Sequence, residues 1–108
     1  MTTDNHTRLI VTLTTFADTQ TAERIGEVLI NEQLAACIQL LPIQSIYRWK
    51  GVVEKSAEVL CIIKSKSESA NQLKQRILEL HPYTTPEIVI IKADDLSTGY
   101  WEWINSVC

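Results

Sequence analysis

A chain of 108 residues is the length of one domain, and burying a core at that length removes roughly two thirds of the unfolded surface from water. With 45% hydrophobic and 21% charged residues and only three Gly and three Pro, the composition excludes a disordered or low-complexity chain. A net charge of −3, with the Lys and Arg residues scattered, argues against a nucleic-acid or anionic-membrane binder.

Residues 1–7 are polar, lack the apolar stretch of a signal peptide and are expected to form a mobile tail. No apolar run approaches the ~20 residues of a membrane-spanning helix, so a cytoplasmic protein is expected. Leu9-Ile-Val-Thr-Leu-Thr14 is apolar and β-branched and predicts a buried strand. Asp18 or Thr19 can cap the helix that follows, whose inner face holds Ala22, Ile25, Leu29 and Leu34. Gly26 costs this helix ~1 kcal/mol relative to Ala, and its expected use is a close approach to the sheet. Ala35 to Leu41 predicts a second strand, stopped or bent at Pro42.

Residues 43–50, Gly51 and 52–64 then read as a long hairpin turning at Gly51. Ser67 is placed to cap a second helix with Ala70, Leu73, Ile77 and Leu80 inward, ending at Pro82. Pro86 to Lys92 predicts a fourth strand, 94–99 a loop and Tyr100 to Val107 a short terminal helix. The order β-α-β-β-α-β plus a C-terminal helix predicts an α+β, ferredoxin-like sandwich forming a single domain over residues 1–108.

The hairpin is too long for such a domain. A radius of gyration of ~13 Å implies a diameter of about 34 Å. Residues 53–65 span ~43 Å if extended. The tip contains Ile46, Tyr47, Trp49, Val52 and Val53, too apolar for a lone ribbon in water. Pairing with another copy of the chain would satisfy both backbone and side chains. The alternative is a hairpin that curls back, with Trp49 capping its own core.

Period-two geometry places Ser45, Tyr47 and Trp49 on one strand face, and Glu58, Leu60, Ile62 and Lys64 on one face of the next. His81 and Tyr83 leave the second helix, and Glu87 is expected to open the last strand. Converged, Tyr47, Trp49, Glu58, Lys64, His81, Tyr83 and Glu87 would form a cleft for a small anion or a metal–ligand complex. The competing reading, slightly favoured, is a structural polar cluster at a subunit boundary, with Lys64 paired to Glu58 or Glu87.

His81 is the one credible imidazole ligand, and a copper or zinc site usually assembles three or four N or S donors. Cys37, Cys61 and Cys108 are odd in number and form no Cys-x-x-Cys unit, so neither a disulfide framework nor a zinc knuckle is indicated. Cys37 and Cys61 read as small buried hydrophobes; Cys108 is exposed by position and has no evident base beside it. Without a nucleophile elbow, a phosphate loop or a paired-carboxylate motif, the chain does not read as an enzyme.

Ser45-Ile-Tyr-Arg-Trp-Lys-Gly51, Glu58, Ile62-Ile-Lys64 and His81-Pro-Tyr-Thr-Thr-Pro-Glu87 resemble the CutA family, the divalent-cation tolerance proteins, as do Leu34-Ala-Ala-Cys37 and Tyr100-x-x-Trp103. The resemblance covers about residues 9–106. It implies a ferredoxin-like fold, a homotrimer assembled through the hairpin strands, a shape related to PII signalling proteins, and a link to tolerance of copper and other divalent metals. Copper ligation in some members is attributed to a Cys on the first strand and two adjacent His before the Pro. The matching positions here are Thr14, Leu80 and His81, of which only His81 is a ligand type. The resemblance therefore implies weak or indirect binding of a divalent cation such as copper. The alternatives are a PII-like module holding a small metabolite between subunits, or a structural trimer that scaffolds a partner protein.

Overall fold

The computed structural model describes residues 8–108, and the expected tail at 1–7 lies outside the described residues. The elements are β1 (Leu9–Phe16), α1 (Thr19–Asn31), β2 (Cys37–Trp49), β3 (Val52–Lys66), α2 (Ala70–Leu80), β4 (Val89–Lys92) and α3 (Thr98–Val107). The strands form one antiparallel sheet in the order β2-β3-β1-β4, the ferredoxin-like arrangement expected from the element order.

Alternation along the strands gives the sheet two distinct faces. Ile10, Thr12, Thr14 and Phe16 of β1 and Cys61, Ile63 and Ser65 of β3 are buried together, and α1 and α2 close over this face with Ala22, Ile25, Leu29, Leu73 and Ile77. Asp18 caps α1, its carboxylate accepting the Thr21 N–H at 2.7 Å. Gly26 takes the expected role, since a Cβ there would stand 3.1 Å from Ile38 Cγ2. The opposite face is covered only at one end, where Ile104 of α3 packs with Leu9 and Ala36. Val89 and Ile91 of β4 lie on that face, each 46% exposed.

Three expectations change. Pro42 does not interrupt β2, which pairs without a break from Cys37↔Lys64 to Trp49↔Val52. β2 is an edge strand, and an edge leaves alternate N–H groups without a sheet partner, so a proline fits there. Ser67 opens a 3-10 turn (Ser67–Ser69), and α2 begins at Ala70 with no side-chain cap. β4 begins at Val89 rather than Pro86: its ladder with β1 stops at Leu13↔Val89 although β1 runs on to Phe16, for Pro86 has no N–H to give a ladder and the Thr15 carbonyl meets His81 Nε2.

The hairpin extends and does not curl back. β1 accompanies β3 only to Phe16↔Val59, so from Ile43↔Glu58 to Trp49↔Val52 the chain is a two-stranded ribbon ~20 Å long. The molecule measures 50 × 27 × 22 Å and its radius of gyration is 15.1 Å, against ~13 Å for a compact chain of this length. The tip is a two-residue turn with Lys50 at φ 52° and Gly51 at φ 82°. Two positive φ values define a type I′ turn, whose twist matches that of the flanking strands.

The buried hydroxyls of Thr12, Thr14 and Ser65 have no hydrogen-bond partner among the described residues. Desolvating an unpaired hydroxyl is unfavourable, and a methyl of the same shape removes that cost. Thr12→Val and Thr14→Val are each expected to stabilise the fold by ~1 kcal/mol in urea denaturation; unchanged or lower midpoints would show that these hydroxyls are satisfied in solution.

Candidate functional site

Register decides which of the predicted site residues meet. Glu58 and Lys64 share a face of β3 but lie six residues, ~20 Å, apart. Trp49 lies as far from Ile43, the partner of Glu58, in the other direction. Within one chain the predicted cleft is therefore three separate stations along the hairpin.

The middle station is the best built. Leaving α2, the chain turns at His81-Pro82 and brings His81 against the end of β1. The His81 ring is 7% exposed and stacks on Phe16 at 4.4 Å, 16° from parallel. Its Nε2 lies 2.8 Å from the Thr15 carbonyl, and its Nδ1 accepts the Tyr83 backbone N–H at 3.2 Å. A carbonyl only accepts and a backbone N–H only donates, so these partners select the neutral ring with its proton on Nε2. Tyr83 tilts against the ring at 4.8 Å and donates its hydroxyl to Glu58 Oε2 at 2.8 Å. Burial, followed by the bond to Glu58, pushes the Tyr83 phenol up to about 12. This bridge ties the α2–β4 connection to the root of the ribbon, and the Tyr47 hydroxyl is 3.5 Å from Ser56 Oγ on the next stretch.

The proximal station holds Lys64, whose Nζ donates to Gln39 Oε1 at 2.6 Å and lies 6.0 Å from the centre of the Tyr100 ring. The expected pairing of Lys64 with Glu58 or Glu87 is thus replaced by a neutral amide. Cross-strand register aligns Lys64 with Cys37, next but one to Gln39, whereas Glu58 belongs to another station. The distal station is the tip, where Lys50 Nζ lies 5.9 Å over Trp49. Glu87 is exposed and lies two residues before β4 rather than opening it.

Among the described residues, no three His, Cys, Asp or Glu side chains are grouped to hold a metal ion. Thr14 is fully buried on the helix-covered face, and both His81 nitrogens are already hydrogen-bonded. To bind a cation, His81 must release one of them. Burial pushes the Cys61 thiol up to about 12, so it stays protonated and is a poor ligand. Cys37, expected to be buried, is half-buried, and so is Cys108, which was expected to be exposed.

Sequence reasoning passed over Phe16, Gln39, Lys66 and Tyr100 as site neighbours. Phe16 was detectable, because alternation from Ile10 through Thr12 and Thr14 carries it to the same face. Gln39 and Tyr100 required the cross-strand register and the path of α3, neither of which is written in local pattern.

A family model described as "CutA1 divalent ion tolerance protein" matches residues 10–107. The chain is 38% identical over 96 residues to the divalent-cation tolerance protein CutA of Pyrococcus horikoshii, covering 89% of this chain and 94% of that one. The CutA of Thermus thermophilus is also 38% identical over 96 residues, covering 88% and 93%. Among solved structures, CutA from Synechococcus elongatus superposes with a TM-score of 0.91 at 30% identity, covering 94% of this chain and 91% of that chain. The structure described as the periplasmic divalent cation tolerance protein CutA from Archaeoglobus fulgidus superposes at 0.89 with 30% identity, covering 92% and 97%.

Burial holds the His81 imidazole below its ordinary value of 6.5, outweighing the opposing pull of the Thr15 carbonyl and Glu58. Protonating Nδ1 would also set two donors face to face at the Tyr83 N–H. The folded state disfavours His81 protonation, so its stabilising contribution is complete above pH 6.5 and is lost as pH falls through the depressed folded value. Stability in urea should therefore decline on acidification below 6.5, and His81→Asn should flatten that decline; an identical slope in the variant would assign the effect elsewhere.

Proposed function

The chain belongs to the CutA1 divalent ion tolerance protein family, and from that membership we propose that it acts as a homotrimer associated with tolerance of divalent metals, copper among them, through weak or indirect contact with the cation. The family is one of divalent-cation tolerance proteins, not a known enzyme family; for this chain we propose a non-catalytic role.

The observation that supports self-association is the ribbon. It exposes apolar side chains on both faces: Ile46 and Val53 on one, Tyr47, Trp49 and Val52 on the other. Ile46 is 68% exposed and Val52 57%. A surface covering only one face leaves the other wet, whereas neighbours in a closed ring can approach a projecting ribbon from both sides. The open sheet face, with Val89 and Ile91, offers a second apolar surface for the same contact. Self-association would also bring different stations of neighbouring hairpins together, and a cleft between subunits is where the alternative reading, a PII-like small-molecule module, would hold its ligand.

The donor set supports the reading of weak or indirect metal contact. His81 is the one member of the Thr14, Leu80, His81 set with a side-chain nitrogen or sulfur donor, and it is engaged by Thr15 and Tyr83. A cytoplasmic location is proposed on the three unpaired cysteines, which suit a reducing compartment. No helix among the described residues is long and apolar enough to cross a membrane.

Native mass spectrometry is expected to give three times the chain mass. The double variant Ile46→Lys, Val52→Lys should shift the population towards single chains, and a wild type that stays monomeric at micromolar concentration would refute the assembly. Copper calorimetry in a reducing background should show at most weak heat, reduced in His81→Ala. Tight, stoichiometric binding unaffected by that substitution would contradict the proposed contact.

A further inference from the structure

The ribbon leaves the sheet at a point where a side chain takes over from a strand. β1 accompanies β3 to Phe16↔Val59, so Glu58 is the first β3 residue on the way to the tip with no third strand beside it. At that residue Tyr83 donates its hydroxyl to Glu58 Oε2 at 2.8 Å, a part-buried contact between residues 25 apart in sequence. Among the described residues, no other hydrogen bond joins residues 82–88 to the ribbon.

Tyr83 is itself held firmly. His81 stacks on Phe16, the last residue of β1, and meets the Thr15 carbonyl, while its Nδ1 accepts the Tyr83 N–H. The end of β1 therefore still positions the ribbon, acting through His81 and Tyr83. Pro82 and Pro86 each have a fixed φ, which limits slack on both sides of Tyr83. Burial and the bond to Glu58 keep the phenol protonated, so it remains a donor at neutral pH.

Leverage makes this root sensitive. The ribbon is ~20 Å long and its strands are ~4.8 Å apart, so a displacement at the root is magnified about four-fold at the tip. Trp49, Val52 and Val53 are exposed there. Van der Waals contact is largely lost over a gap of about 1 Å, so an unsteady root weakens every contact the tip makes.

We propose that the Tyr83–Glu58 bond is a latch by which the connection from His81 to Ile88 holds the ribbon in line with the sheet, and so controls how tightly copies of the chain associate. Its effect on association rests on the self-association reading; its effect on the ribbon root does not. The connection thereby becomes a control point outside the ribbon. It exposes Thr84 and Thr85, and whatever draws Tyr83 away from Glu58 loosens the assembly.

The test combines amide hydrogen exchange with native mass spectrometry over a dilution series of the full chain, for the wild type, Tyr83→Phe, Glu58→Ala and the double variant. Tyr83→Phe should speed exchange of the protected amides among residues 43–45 and 56–58 about ten-fold, in associated and in single chains, the loss of one hydrogen bond to a charged group. Protected amides from Ile10 to Phe16 should keep their rates. The concentration at which copies separate should rise about ten-fold, because a ribbon aligned one-tenth as often binds that much more weakly. Glu58→Ala should act alike, and the double variant should be no worse than either single one. Unchanged root amides in Tyr83→Phe would overturn the latch, as would additive losses in the double variant. Equal acceleration in the core would reduce the effect to general destabilisation and overturn it too. Faster root exchange with unchanged dissociation would overturn the control of assembly. A wild type of single-chain mass at every concentration refutes self-association and that control with it, and the root amides then decide the latch by themselves.

Discussion

The unbroken antiparallel register of β2 on β3 is the constraint from which the rest of the molecule follows. From Cys37↔Lys64 to Trp49↔Val52 it admits no bulge and no slip, even at Pro42. Because side chains alternate with period two, that single register assigns every hairpin residue to a face. β1 is shorter and leaves β3 at Val59, so the same register that builds the core also carries two strands beyond it. The core and the ribbon are thus one structure, differing only in whether a third strand and two helices are present to cover it.

That continuity explains how the polar groups are distributed. The fold cannot gather Trp49, Glu58 and Lys64, because a straight strand holds them ~20 Å apart. Each station instead makes its own local arrangement: Lys50 over Trp49 at the tip, Tyr83 on Glu58 at the root, Gln39 on Lys64 beneath α3. His81 belongs to the root and acts as a brace. Its two nitrogens join the end of β1 to the segment leaving α2, and its ring closes the core over Phe16. A residue so engaged is poorly placed to seize a metal ion.

The features legible in the sequence were those set by local pattern. The Ala22, Ile25, Leu29 face of α1, the Leu73 and Ile77 face of α2, the Asp18 cap and the turn at Gly51 all follow from periodicity, capping chemistry and backbone freedom. Protrusion of the hairpin followed from length against domain size. What escaped depends on partners distant in sequence. Pro42 reads as a breaker until β2 is known to be an edge, and Pro86 to Ile88 read as strand until the Thr15 carbonyl of β1 is known to meet His81. Lys64 was expected beside a carboxylate because Glu58 shares its face. Sharing a face does not set distance along it, and the register that brings Gln39 within 2.6 Å is a property of the pair of strands.

The central claim is that the ribbon from Ile43 to Glu58 is held by other copies of the chain. Amide hydrogen exchange across residues 43–58, measured over a dilution series alongside molecular mass, tests it most directly. An isolated two-stranded ribbon opens readily in water. The account predicts strong protection of these amides in the associated species, lost on dilution in step with dissociation, while Ile10 to Phe16 in the core stay protected. Ribbon amides that exchange freely at every concentration, or that stay protected in a species of single-chain mass, would contradict it.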